Sequence, residues 1–239
     1  MSIICHFWHG SVIGENHIRQ GIPNQDYCMG FHFPWGELVV VADGVGSCPK
    51  SDIGSRAACR AAATGVNFCV SKGVTDFERI QLLVYSLWLS ELGSTPPEDA
   101  CSTCRMAFTL KDNVYLLSIG DGMTALCGDS PENTIVLEED KEDLFVNETF
   151  ALSHEPVFSE WRGYIYPMKS FKGVLLSTDG VSENYQKKTR PLFAFSVLNS
   201  FVSMKPWHRR REMTKTLSRH APGYIDDRTM ICLYWENKQ

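Results

Sequence analysis

The chain has 239 residues, 44% of them apolar and 21% charged, an ordinary balance for a globular protein. At that length it buries most of its apolar surface without disulfide or metal staples, as one large domain or two small ones. Twenty-three basic against 28 acidic side chains leave a formal charge of −5, which argues against a nucleic-acid binder, and no apolar run approaches the roughly 18 residues of a membrane span.

The N-terminal MSIICHFWHG has no basic region ahead of an apolar one and does not read as a signal peptide. A first strand is expected at 5–12, a second at 27–32 and a third at 38–42. An alanine-rich helix follows at 51–70, where Ala57, Ala58, Ala61, Ala62 and Ala63 favour helix. A second helix is expected at 75–90, capped by Thr75 or Asp76, with Leu82, Leu83, Leu87 and Leu89 packing inward. Strands are predicted at 105–110, 114–119, 124–127 and 134–137. The stretch 138–172 is acidic, then polar and aromatic, without sustained periodicity, and reads as a loop-rich surface insertion. A strand at 173–177, helices at 191–203 and 206–219, each opened by a proline, and a last strand at 229–235 complete the chain. Strands come in runs with helices grouped in pairs, so antiparallel sheets with helices outside are expected rather than a doubly wound parallel sheet.

One local pattern recurs. LVVVADG ends on Asp43-Gly44, YLLSIGDG on Asp121-Gly122 and GVLLSTDG on Asp179-Gly180. Asp-Gly between apolar runs is ordinarily a hairpin turn. After Asp43-Gly44 comes VGSCPKSDIGS and then a helix, and after Asp179-Gly180 comes VSENYQ, so neither is a simple hairpin. Asp121-Gly122 does precede a predicted strand, and there a turn and a functional carboxylate both remain open. Asp226-Asp227 stands just before the last strand and Asp26 just before the second. Carboxylates gathered on one rim repel each other by several kcal/mol at ~4 Å and low effective dielectric, and divalent cations relieve that cost. An all-oxygen donor set selects magnesium or manganese over zinc.

In chain order, NQDY at 24–27, ADGVGS at 42–47, Gly54-Ser55 with the alanines to 58, STC at 102–104, LSIGDG at 117–122, LLSTDGVSEN at 175–184 and DDRTMICL at 226–233 resemble the metal-dependent PPM, or type-2C serine/threonine, protein phosphatases. The resemblance spans about residues 10–235 and implies a single catalytic domain over 1–239. The implied α+β fold is a four-layer α-β-β-α sandwich, two packed antiparallel sheets flanked by helix pairs. The implied activity is hydrolysis of phosphoprotein monoesters by a water activated between two Mn2+ or Mg2+ ions, without a covalent enzyme intermediate. By position, Asp43 resembles the carboxylate bridging two ions, Gly44 the backbone-carbonyl ligand of one, and Asp179 and Asp226 ligands of the other. Asp26 resembles the aspartate that holds metal-bound water. Asp121 resembles a ligand of a third, weaker ion in bacterial members. The catalytic set is thus Asp26, Asp43 and Asp179. Asp227 stands where the family often has asparagine and is expected to act from behind the ligands.

Three departures mark a bacterial-like variant. Gln25 replaces a frequent glutamate. Gly21 stands where a phosphate-binding arginine often lies, leaving His17 or Arg19 to contact phosphate, with an exposed loop position the competing assignment for each. Val45 replaces a histidine found in many eukaryotic members.

Elsewhere, His154 reads as a surface or capping residue, and Trp207–Arg211 as a solvated helix face or else a docking patch for an acidic partner. Trp161 and Tyr164 are assigned to packing or to the substrate entrance. Nine cysteines, odd in number and scattered, read as reduced thiols of a cytoplasmic protein. Cys101-Ser-Thr-Cys104 lacks the second ligand pair of a zinc site. The expected partner is a phosphorylated protein substrate, countering a serine/threonine kinase, with neither nucleic acid nor membrane. A catalytically weakened binding module on the same fold is the alternative. A two-metal nuclease is disfavoured by the acidic balance.

Overall fold

A computed structural model describes residues 3–137, 150–219 and 225–237. Its elements run β1 (Ile3–Val12), α1 (Glu15–Gln20), β2 (Asp26–Phe33), β3 (Gly36–Asp43), α2 (Ser51–Ser71), α3 (Phe77–Glu91), β4 (Cys104–Leu110), β5 (Asn113–Ile119), β6 (Met123–Cys127), β7 (Ile135–Leu137), β8 (Arg162–Pro167), β9 (Gly173–Ser177), α4 (Asp179–Ser182), α5 (Arg190–Val202), α6 (Pro206–Arg219) and β10 (Arg228–Asn237). They form two five-stranded sheets, ordered β1-β10-β9-β6-β7 and β2-β3-β4-β5-β8. Every strand pair is antiparallel.

The long apolar run of β3 follows from its position. It is an interior strand covered on both faces, so the period of two shows in where side chains go rather than in polarity. Leu38, Val40 and Ala42 join α2 and α3 in one core. Val39 and Val41 meet Val174, Leu176, Ile231 and Leu233 between the sheets. On the far side Met230, Cys232, Leu175 and Ala125 pack under Ala194, Leu198 and Phe201 of α5 and Met213 and Leu217 of α6. Three apolar layers therefore separate four structural ones, the α-β-β-α sandwich that the motifs imply. No helix among the described residues is long and apolar enough to cross a membrane.

The structure revises the sequence reading at four points. The inner stripe of α3 is Ile80, Val84 and Trp88, all fully buried, with Leu83, Leu87 and Leu89 packed against that core at its edge as expected, whereas Leu82 is half exposed and turned away from it. Residues at i, i+4 and i+8 share one face, and that spacing outweighs leucine content. The insertion 138–172 contains β8, hidden from pattern reading because an edge strand exposed along most of its length needs no alternation; its part 138–149 lies outside the described residues. Of the two readings left open for Asp121-Gly122, the hairpin turn falls, since β5 and β6 belong to different sheets. The short helices α1 and α4 were not anticipated. Boundaries otherwise shift by a few residues at most, and Asp76 is the α3 cap, its side chain accepting from the Arg79 N–H at 3.0 Å.

His154 is exposed beside Glu155 at 3.6 Å. Trp161 is buried in the α2–α3 core, while Tyr164 lies on the β8 edge. Trp207 is exposed on α6 with the Lys205 ammonium over its ring at 5.4 Å. All nine cysteines are free thiols.

Candidate metal centre

One end of the sandwich gathers the acidic residues. Asp26 opens β2 and Asp43 closes β3, and the two are register partners across the strand pair. Like charges directly opposite each other destabilise a sheet. Asp179 follows β9 and Asp226 precedes β10, neighbours in the other sheet. Asp43, Asp179 and Asp226, with Asp121 at the crossing between sheets, line a cleft of about 160 Å³ shared with His17, Gln25, Gly44, Val45, Gly46 and Thr103; Asp26 is buried beside Asp43 and does not line it. None of those lining residues is lysine or arginine.

The backbone around each carboxylate is pinned. The Asp43 N–H donates to Thr103 Oγ1 at 2.9 Å, and its carbonyl accepts from the Thr103 N–H at 2.8 Å and the Ser102 hydroxyl at 3.0 Å. Thr178 Oγ1 donates to Asp26 Oδ2 at 2.9 Å and accepts from the Thr229 N–H at 3.1 Å, which ties the two sheets together at the cleft. The Asp227 N–H donates to Asp226 Oδ1 at 2.8 Å. Two glycines permit close approach: a side chain on Gly44 would start 2.5 Å from the Ser51 carbonyl oxygen, and one on Gly180 1.9 Å from that of Asp227.

Electrostatics record the crowding. Burial, then the neighbouring Asp227 charge, pushes Asp26 up to about 8. Burial pushes Asp43 well above the carboxylate range, reinforced by Asp26, Asp179 and Asp226. Asp179 rises to about 6 through burial and the charges of Asp121, Asp226 and Glu183, against a hydrogen bond with Asp43. Asp226, exposed at the rim, is also raised.

Among the described residues, no three His, Cys, Asp or Glu side chains already converge tightly enough to ligate one ion. The carboxyls pair with one another instead, Asp43 with both Asp26 and Asp179. Two observations nevertheless fit a hard divalent cation. The donors are oxygens throughout, and Oδ1 of Asp26 and Oδ1 of Asp179 are buried without a hydrogen-bond partner, a cost that ligation removes. Asp43, Asp179, Asp226 and the Gly44 carbonyl would hold such ions, with Asp121 at the margin.

The phosphate-contact candidates separate. His17 lines the cleft, its Nδ1 3.0 Å from Asp227 Oδ2. Arg19 is turned outward, 75% exposed and paired with Glu15 at 3.1 Å. Arg19→Ala is therefore expected to leave catalytic efficiency within about twofold, surface ion pairs contributing little, whereas His17→Ala raises KM for a phosphomonoester; steady-state kinetics of the two variants check this. Thr103 and Thr178 were not among the residues anticipated. Their signals, the STC and STDG motifs, were visible, but no pattern tells which hydroxyl reaches a carboxylate 152 residues away.

A sequence profile of the protein phosphatase 2C family matches residues 13–219, and the chain belongs to that family. Solved structures share its fold. The catalytic domain of the serine/threonine phosphatase PstP, solved with two manganese ions, superposes with a TM-score of 0.65 at 15% identity, covering 99% of this chain and 100% of that one. A serine/threonine phosphatase of S. agalactiae gives 0.63 at 17% over 97% and 99%, and Stp1 of Staphylococcus aureus 0.62 at 12% over 99% and 96%. Comparison with curated proteins returns no match.

Proposed function

We propose that residues 1–239 form one catalytic domain that hydrolyses phosphoserine and phosphothreonine in proteins with two Mn2+ or Mg2+ ions, in the cytoplasm and in opposition to a serine/threonine kinase. The observation that carries this is the composition of the cleft wall: four carboxylates from distant segments, and no lysine or arginine among the described residues that line it. A phosphomonoester dianion is repelled by such a wall unless cations stand between them.

Paired divalent ions supply, when bound, a water acidic enough to react near neutral pH and positive charge for the phosphoryl oxygens. The chain's own groups do the rest. Asp43, Asp179, Asp226 and the Gly44 carbonyl hold the ions. Asp26, oriented by the Thr178 hydroxyl, accepts a hydrogen bond from the attacking water and aligns it. His17, on the cleft wall, meets the phosphate. Val45 offers no proton to the leaving group, so the leaving alcohol takes its proton from solvent.

Phosphate release from a panel of phosphoserine, phosphothreonine and phosphotyrosine peptides, with and without manganese, tests the proposal. Release from the first two, dependent on manganese, is expected. Manganese binding without release from any peptide would favour a binding module on the same fold, and no manganese binding at millimolar concentration would overturn the metal assignment.

A further inference from the structure

Asp227 is 2% exposed and does not line the cleft, yet both oxygens of its carboxylate accept backbone hydrogen bonds beside it. Oδ1 accepts from the Gly14 N–H and Oδ2 from the Gln25 N–H, both at 2.6 Å, short charge-assisted bonds. Oδ2 also lies 3.0 Å from His17 Nδ1, off the axis of a good hydrogen bond. One side chain thus joins the turn before α1, the residue before β2 and the entry to β10.

The bond to Gln25 changes the ladder. Asp26 faces Asp43, so the next antiparallel pair is Gln25 with Gly44. The Gly44 N–H does donate to the Gln25 carbonyl at 3.1 Å. In a regular ladder the Gln25 N–H would return the bond to the Gly44 carbonyl. Here it goes to Asp227.

We propose that Asp227 is a positioning residue: by taking the Gln25 N–H it keeps the Gly44 carbonyl open to the cleft as a metal ligand, and it holds His17 at the cleft wall. The inference rests on the metal assignment above. Without Asp227, the Gln25 N–H closes onto Gly44 and withdraws one oxygen from one of two ions. A partner behind a ligand typically sets metal affinity by about 10–100-fold.

Manganese titration of the metal-free chain by calorimetry tests this. Wild type is expected to take up two ions, and Asp227→Ala to lose at least tenfold in affinity for one while retaining the other, a selectivity that general destabilisation would not produce. Asp227→Asn, which keeps one acceptor, falls between. Wild type that binds no manganese sinks the metal assignment itself, whereas wild type that binds two ions beside variants that bind them equally well overturns this inference alone. Should both variants fail to fold, magnesium titration of isotope-labelled wild type decides: a shift of the Gly44 carbonyl carbon, with the Gln25 amide proton staying far downfield, is expected, and an unmoved carbonyl overturns the proposal.

Discussion

Replacing Asp43 by asparagine is expected to abolish manganese-dependent phosphate release and to raise the melting temperature of the metal-free protein. Asp43 faces Asp26 across the β2–β3 pair and hydrogen-bonds Asp179, so it sits at the centre of the repulsion. The amide keeps the shape, donates a hydrogen bond to a neighbouring carboxylate and carries no charge. Neutralising one member of a buried like-charged set contributes roughly 1–2 kcal/mol, about 2–8 °C for a chain of this length. Activity moves the other way. Losing on the order of 4 kcal/mol of charge stabilisation from a displaced ion pair is about a thousandfold in rate. Asp179→Asn should repeat the pattern with a smaller thermal gain, since Asp179 is less crowded. Calorimetric melting in chelator, paired with kinetics in manganese, separates the effects: activity within tenfold of wild type would show that Asp43 holds no essential ion. A site that costs stability so that it can act is the expected trade-off.

In chelator, the melting temperature is expected to fall by about 5 °C or more between pH 5 and pH 8, and saturating manganese to remove most of that fall. Asp26 and Asp179 move from an ordinary carboxylate value of 3.8 to about 8 and about 6 in the fold, burial being the largest cause in both. The metal-free fold therefore holds more protons than the unfolded chain across this window. The stability these protons contribute is complete below about pH 4 and is lost as pH rises through 6 and then 8. Metal binding requires the ionised carboxylates and releases the protons, so affinity rises with pH while the stability of the loaded protein flattens. Scanning calorimetry at the two pH values, with chelator and with manganese, measures it. Equal melting temperatures in chelator would mean that these carboxyls are ionised and apart at neutral pH.

Sequence and fold part company at identifiable residues. The run Leu38–Ala42, the alanines of α2 and the short strands that run out into Asp43 and Asp179 were legible because each obeys a local rule: apolar burial, helix preference, or a carboxylate where an apolar run stops. Trp88 as the innermost residue of α3, with Leu83, Leu87 and Leu89 at the edge of its core, depended on which side of the helix meets α2, and apolar residues spread round much of the helix leave that open. Residues 162–167 had no local signature, because an outer strand is held by hydrogen bonds to β5 and not by alternation.

By itself the sequence determined the inventory: which carboxylates stand at strand ends, that glycines accompany them, and, through ordered motifs, the family. Only the tertiary structure decided their geometry: that Asp26 faces Asp43, that Thr178 crosses between sheets to reach Asp26, that His17 points into the cleft while Arg19 pairs outside it, and that Asp227 draws the Gln25 N–H away from Gly44. The reason is physical. A strand end depends on its own residues, whereas a contact between residues 152 or 202 positions apart exists only once two sheets have packed, and no local preference encodes which partners that packing brings together.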